Sequence, residues 1–129
     1  MTTALEARVL PKIPVRVKTY GTLATFTLYS AATVDTDASS VTLGAPTVYQ
    51  RYVTPPTDLA ATFDGAGNMV EKQGVRFFLP SGALTSDPLP FTPELGLRCT
   101  VRGKAYRATL VDPKPTGDQL AGYFVEART

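Results

Sequence analysis

The sequence predicts a mainly β domain, a small antiparallel β-barrel or sandwich with a short N-terminal helical segment and one long inter-strand loop. Three observations carry this. Near the C-terminus, Leu97, Cys99 and Val101, then Tyr106, Ala108 and Leu110, recur at every second position, with Arg98, Thr100, Arg102 and Arg107 between them. That is the period of a sheet with one dry face. The 129 residues include 11 prolines and 10 glycines, which favours many turns over long helices. The third observation is the run of segments rich in β-branched and aromatic residues bounded by Gly, Pro, Asp and Ser clusters. At this length the chain is expected to be one domain, with residues 1–19 a helical or extended lead and residues 20–129 the β body.

The elements follow in chain order. Thr3-Ala4-Leu5-Glu6 has the form of a capping box, so a short helix begins there, and Pro11 and Pro14 kink or end it near Leu10. Beyond that point Ile13, Val15 and Val17 alternate as in an extended segment leading to Tyr20-Gly21. Leu23 to Tyr29 is the first strand. Ala31 to Gly44 is small and polar and reads as a surface loop with an extended piece at Ser40 to Leu43. Asp35 and Asp37 lack the further oxygen ligands of a calcium loop and read as turn residues. Pro46 to Val53 is the second long strand, stopped by Pro55-Pro56.

Thr54 to Gly74 has no sustained period and reads as a long loop, inside which Asp64-Gly65 and Gly67-Asn68 offer a hairpin joining Ala60–Phe63 to Met69–Glu71. Val75 to Pro80 is a dense β run ending at Ser81-Gly82. Leu84 to Gly96, with Pro88, Pro90, Pro93 and Phe91, is an extended connection. In the closing meander, Gly103 turns the first hairpin, and Asp112 to Asp118, with Pro113, Pro115 and Gly117, ends the second strand before Leu120 to Arg128 returns.

Enzymatic chemistry finds no support. The chain has no histidine and no phosphate-cradling Gly-x-x-x-x-Gly-Lys loop, and its aspartates, Asp35, Asp37, Asp58, Asp64, Asp87, Asp112 and Asp118, are expected in turns. Cys99, the single cysteine, falls on the apolar face of a strand as a buried thiol. No cofactor or metal is expected. A net charge of +2 does not mark a dedicated nucleic-acid binder. The apolar runs are short and interrupted and the N-terminus lacks an apolar block, so neither a membrane span nor a signal peptide is expected, and the protein is expected to stay in the cytoplasm where it is made.

The order of the closing elements is more specific than any one of them. A short strand, the Arg102-Gly103-Lys104 turn, Tyr106 to Pro113, the Thr116-Gly117-Asp118 turn and a strand ending Glu126-Ala127-Arg128 resembles the head-closure family of long-tailed bacteriophages, also called stopper, head-tail joining or head completion proteins. The match covers the last third of the chain, with upstream elements following the family order more loosely. The resemblance implies a virion protein made in the bacterial cytoplasm, which forms a ring of six or twelve copies. The ring would lie below the portal or adaptor and above the tail terminator or tail tube, and would hold packaged DNA without sequence preference. It also implies helix running up to the first strand, and it makes the Thr54 to Gly74 connection, with Asp58, Asp64, Gly65, Gly67, Asn68, Glu71 and Lys72, the gating loop of the channel.

Candidate subunit or partner contacts are Arg8, Lys12, Arg16 and Lys18, a basic excess over Glu6, together with Arg128 and the sheet edges. One alternative within the phage setting is a tail terminator or tail-tube subunit. Another, from a different class, is a small-barrel nucleic-acid-binding module with Tyr49, Tyr52, Phe77 or Phe78 as stacking platforms and Arg51, Arg76, Arg98, Arg102, Lys104 and Arg107 as phosphate contacts.

Overall fold

A computed structural model describes residues 4–29, 33–35, 40–42, 46–116 and 118–129. The chain opens with helices α1 (Ala4–Val9) and α2 (Lys12–Tyr20). The first helix ends at Val9, beside Leu10 as the prolines lead one to expect, and a second begins at Lys12. Pro11 caps α2 with φ −65°, and Pro14 falls in the first turn, where the ladder needs no N–H. The alternation at Ile13, Val15 and Val17 is overridden, with Val17 buried and Val15 exposed. Thr3, first member of the expected capping box, lies outside the described residues. Gly21 ends α2 by donating its N–H to Val17 O, and a Cβ there would overlap the carbonyl oxygens of Val17 and Val53. Only glycine lets the helix stop that close to the sheet.

Eleven strands follow among the described residues: β1 (Thr22–Tyr29), β2 (Thr33–Asp35), β3 (Ser40–Thr42), β4 (Pro46–Val53), β5 (Thr57–Leu59), β6 (Thr62–Phe63), β7 (Met69–Glu71), β8 (Gly74–Pro80), β9 (Arg98–Val101), β10 (Lys104–Thr116) and β11 (Gln119–Arg128). Seven form one antiparallel sheet in the order β4-β1-β9-β10-β11-β8-β5, and β2–β3 and β6–β7 form separate two-stranded ladders. The expected extended piece at Ser40 is β3, but its partner β2 was not legible in the small, polar composition. Asp37 lies outside the described residues.

The sheet curls until its two ends meet. Thr54, just past β4, donates its N–H to Phe78 O at 3.1 Å, and its Oγ1 accepts the Phe78 N–H at 2.8 Å. These two bonds join β4 to β8 without a ladder, so the barrel stays open along this seam. Inside lie Phe26, Val53, Val75, Phe77, Leu79, Val101 and Val125, with Ala24, Cys99, Ala108 and Ala127 filling between them. Each large side chain buried this way contributes about 1.5–3 kcal/mol. Phe91, from the proline-rich connection, reaches into one end, 5.5 Å from Phe26 and 5.2 Å from Tyr49 between ring centroids.

Three expectations are corrected. Leu110 does not continue the dry face of Tyr106 and Ala108: a register shift between Ala108 and Leu110 flips the pleat, leaving Leu110 45% exposed and Val111 half-buried. Asp112 to Asp118 does not end the second strand, because β10 runs through Pro113 and Pro115 to Thr116, paired with β11. Strand β9 pairs with β10 only from Lys104 to Arg107, so further along β10 is an edge where a missing N–H costs no ladder bond. Asp35, Asp58 and Asp112 sit in strands β2, β5 and β10 rather than in turns.

The seam at Thr54 is open to test. Thr54→Val keeps the shape of the side chain but removes the acceptor of the Phe78 amide, so chemical denaturation should show a loss of about 1–3 kcal/mol. Thr57→Val, at an exposed position on β5, should stay within about 0.5 kcal/mol of wild type.

Candidate functional site

The Thr54 to Gly74 connection is ordered by its own chemistry. Thr54 belongs to the seam, and β5 adds to the main sheet beside β8, where Asp58 sits 3.2 Å from the Arg102 guanidinium. The hairpin legible in the sequence is present as β6 and β7, with Ala60 and Ala61 left out of the ladder. Its turn is built on Asp64, whose Oδ1 accepts the backbone N–H of Asn68 and of Ala66, each at 2.9 Å, while Gly67 supplies φ +86°. The bonds from Asn68 and then Ala66 hold the Asp64 carboxyl below the ordinary carboxylate range. A depressed folded value means that this stabilisation is complete above the ordinary range and fades as pH falls through the lowered value. Gly65 is exposed with open space around it, whereas Gly74 is buried where a Cβ would overlap the Ala127 carbonyl.

Arg128 brackets the base of the hairpin. Its Nη1 donates to Lys72 O at 2.8 Å and to Ala60 O at 3.3 Å, and its Nε lies 3.0 Å from Glu71 Oε2 as a charge contact without aligned hydrogen-bond geometry. The Arg128 side chain is only 13% exposed. Beyond this base the hairpin turns Phe63, Met69 and Val70 outward, at 58, 56 and 64% exposure. Three large apolar groups on one small projecting element form a surface that water solvates poorly.

The N-terminal cations divide. Arg8, Lys12 and Arg16 recur every fourth residue and line a shallow groove with Val9 and Ile13. Lys18 points elsewhere, into a cleft beside Gln50, Arg51, Tyr52 and Asp87. None of the four forms an ion pair among the described residues. Arg128, grouped with them in the sequence reading, is at the hairpin instead.

The aromatic residues of the nucleic-acid reading are scattered, and all of its cations but Arg107 are engaged. Phe77 is in the core, Tyr49 stacks on Phe91, Phe78 packs 5.1 Å from Phe124 between centroids, and Tyr52 is exposed. Arg51 holds Asp87 through two 3.0 Å hydrogen bonds and also bonds Pro88 O, tying the proline-rich connection to β4. Sequence reasoning missed this clamp, because only the fold brings the two residues together. Arg76 lies over the Phe124 ring, Arg98 over Tyr29 and Lys104 over Tyr106, and the Arg107 side chain has no such partner among the described residues.

Burial pushes the Cys99 thiol up to about 12, so at neutral pH it is a protonated core group. Among the described residues no group of three His, Cys, Asp or Glu side chains converges on a metal position, and no helix is long and apolar enough to cross a membrane. What the arrangement offers is contact surface: an apolar hairpin, a basic helical groove and exposed sheet edges. No protein-family model matches this chain, and no curated protein matches it in sequence.

Arg128→Ala removes the hairpin bracket. Amide hydrogen exchange should accelerate over residues 62–71 while the β1 and β9 amides keep their protection, and stability should fall by about 1.5–3 kcal/mol, the worth of hydrogen bonds from a charged donor.

Proposed function

We propose that this chain is a structural subunit of the phage head-tail connector, forming a ring below the portal or adaptor that closes the DNA channel after packaging and docks the tail. The observation that carries this reading is the hairpin, an element with a polar turn, outward Phe63, Met69 and Val70, and a base fixed to the body through Arg128. A group of apolar side chains held out on a rigid base gains from being covered, and copies meeting around an axis would cover it. The resemblance of the closing strands points the same way, and it places the channel loop in this segment of the chain.

A ring closes when two unlike surfaces meet head to tail. The groove of Arg8, Lys12 and Arg16, the terminal strands β4 and β5, and β10 beyond Arg107 are the surfaces we assign to neighbours. The copy number is six or twelve, the site of action is the virion, and the mechanism is assembly and steric gating. Portal or adaptor lies above and the tail terminator or tube below.

Particles assembled without this chain test the reading. They are expected to package DNA but to lose it and to remain tailless, and supplying the chain in trans should restore both properties. Particles that keep their DNA and carry tails in its absence would overturn it.

A further inference from the structure

On the outer face of the sheet, Arg98, Arg107 and Arg128 are direct cross-strand neighbours. Arg98 pairs in register with Arg107, and Arg107 with Arg128, so three arginines stand in one row across β9, β10 and β11. Residues opposite one another in a ladder share a face with their Cβ atoms about 4.5–5.5 Å apart, and like charges so placed are destabilising. The fold compensates two of them. Arg98 donates to Tyr29 Oη at 3.1 Å and lies over that ring, and Arg128 faces Glu71. The Arg107 side chain, at the centre, has no ion pair, hydrogen bond or ring contact among the described residues, and neither has the ammonium of Lys72. All four cations line one groove of about 510 Å³ together with Tyr29 and Thr100.

We infer that this groove binds the phosphodiester backbone of duplex DNA, through Arg98, Arg107 and Lys72. The net charge of the cluster is +3, four cations less Glu71, concentrated in a chain whose total is only +2. A row of guanidiniums at strand spacing suits an anion that repeats its charge, and arginine binds phosphate, like carboxylate, through two parallel donors. Single-stranded nucleic acid is disfavoured, since it needs free aromatic platforms. Here one face of Tyr29 carries Arg98 and Tyr106 is half-buried. The groove is distinct from the apolar face of the hairpin, and the inference goes beyond the ring reading: it concerns the chain alone, so either can fail without the other.

The test is fluorescence anisotropy of a short labelled DNA duplex with the full chain, from low to physiological salt. Three phosphate contacts predict a slope of log affinity against log salt of about −2.7. Arg107→Gln should reduce the magnitude of that slope by about one, with melting temperature unchanged or raised because a like-charge opposition has been removed. The triple variant Lys72→Gln, Arg98→Gln, Arg107→Gln should abolish the salt-dependent binding. Loss of binding in Arg8→Gln, Lys12→Gln, Arg16→Gln instead, with Arg107→Gln unaffected, would overturn the assignment. So would tighter binding to a single strand of the same length, preference for polyglutamate over DNA, or no binding of the duplex at low salt.

Discussion

A seven-stranded sheet with one apolar face leaves that face wet unless it curls far enough to cover itself, and curling brings its two ends together. In this chain the ends meet at Thr54 and Phe78. The joint has no ladder of its own, so the core of Phe26, Phe77, Val53 and Val125 holds the curl while the Thr54 hydroxyl keeps the Phe78 amide satisfied where the two edges diverge. The close approaches obey the same constraint. Gly21 lets α2 end against Val53, and Gly74 lets β8 lie against Ala127, positions where a Cβ would collide with backbone.

With the inner face sealed, polar and functional groups are left to the outside and to the connections. Two arginines then do structural work at a distance in sequence. Arg51 ties the proline-rich connection to β4, so that Phe91 stays seated over Phe26, and Arg128 ties the projecting hairpin to the last strand. Each satisfies backbone carbonyls as well as a carboxylate, which makes the tie stronger than a surface ion pair alone.

Much of this was legible where one residue's neighbours in sequence decide its conformation. The alternation from Leu97 to Val101, the hairpin turn at Gly103 and the Asp64 to Asn68 turn all rest on local chemistry, and all are found, although Arg102 joins Gly103 at positive φ. The expectations that failed depended on tertiary context. Pro113 and Pro115 are tolerated because β9 has already ended beside them. Leu110 faces outward because of a bulge that no pattern announces. The arginine row has the same origin: Arg98, Arg107 and Arg128 lie on three different strands, and only the register sets them side by side.

The hairpin, the basic helical groove and the sheet edges are surfaces for contact, and we propose that they meet copies of this chain around a DNA channel. Imaging the assembled particle at a resolution that locates this subunit tests that most directly. We expect a closed ring between portal and tail, with residues 62–71 turned toward the axis. The same chain found along the tail tube, or in no part of a phage particle, would contradict it.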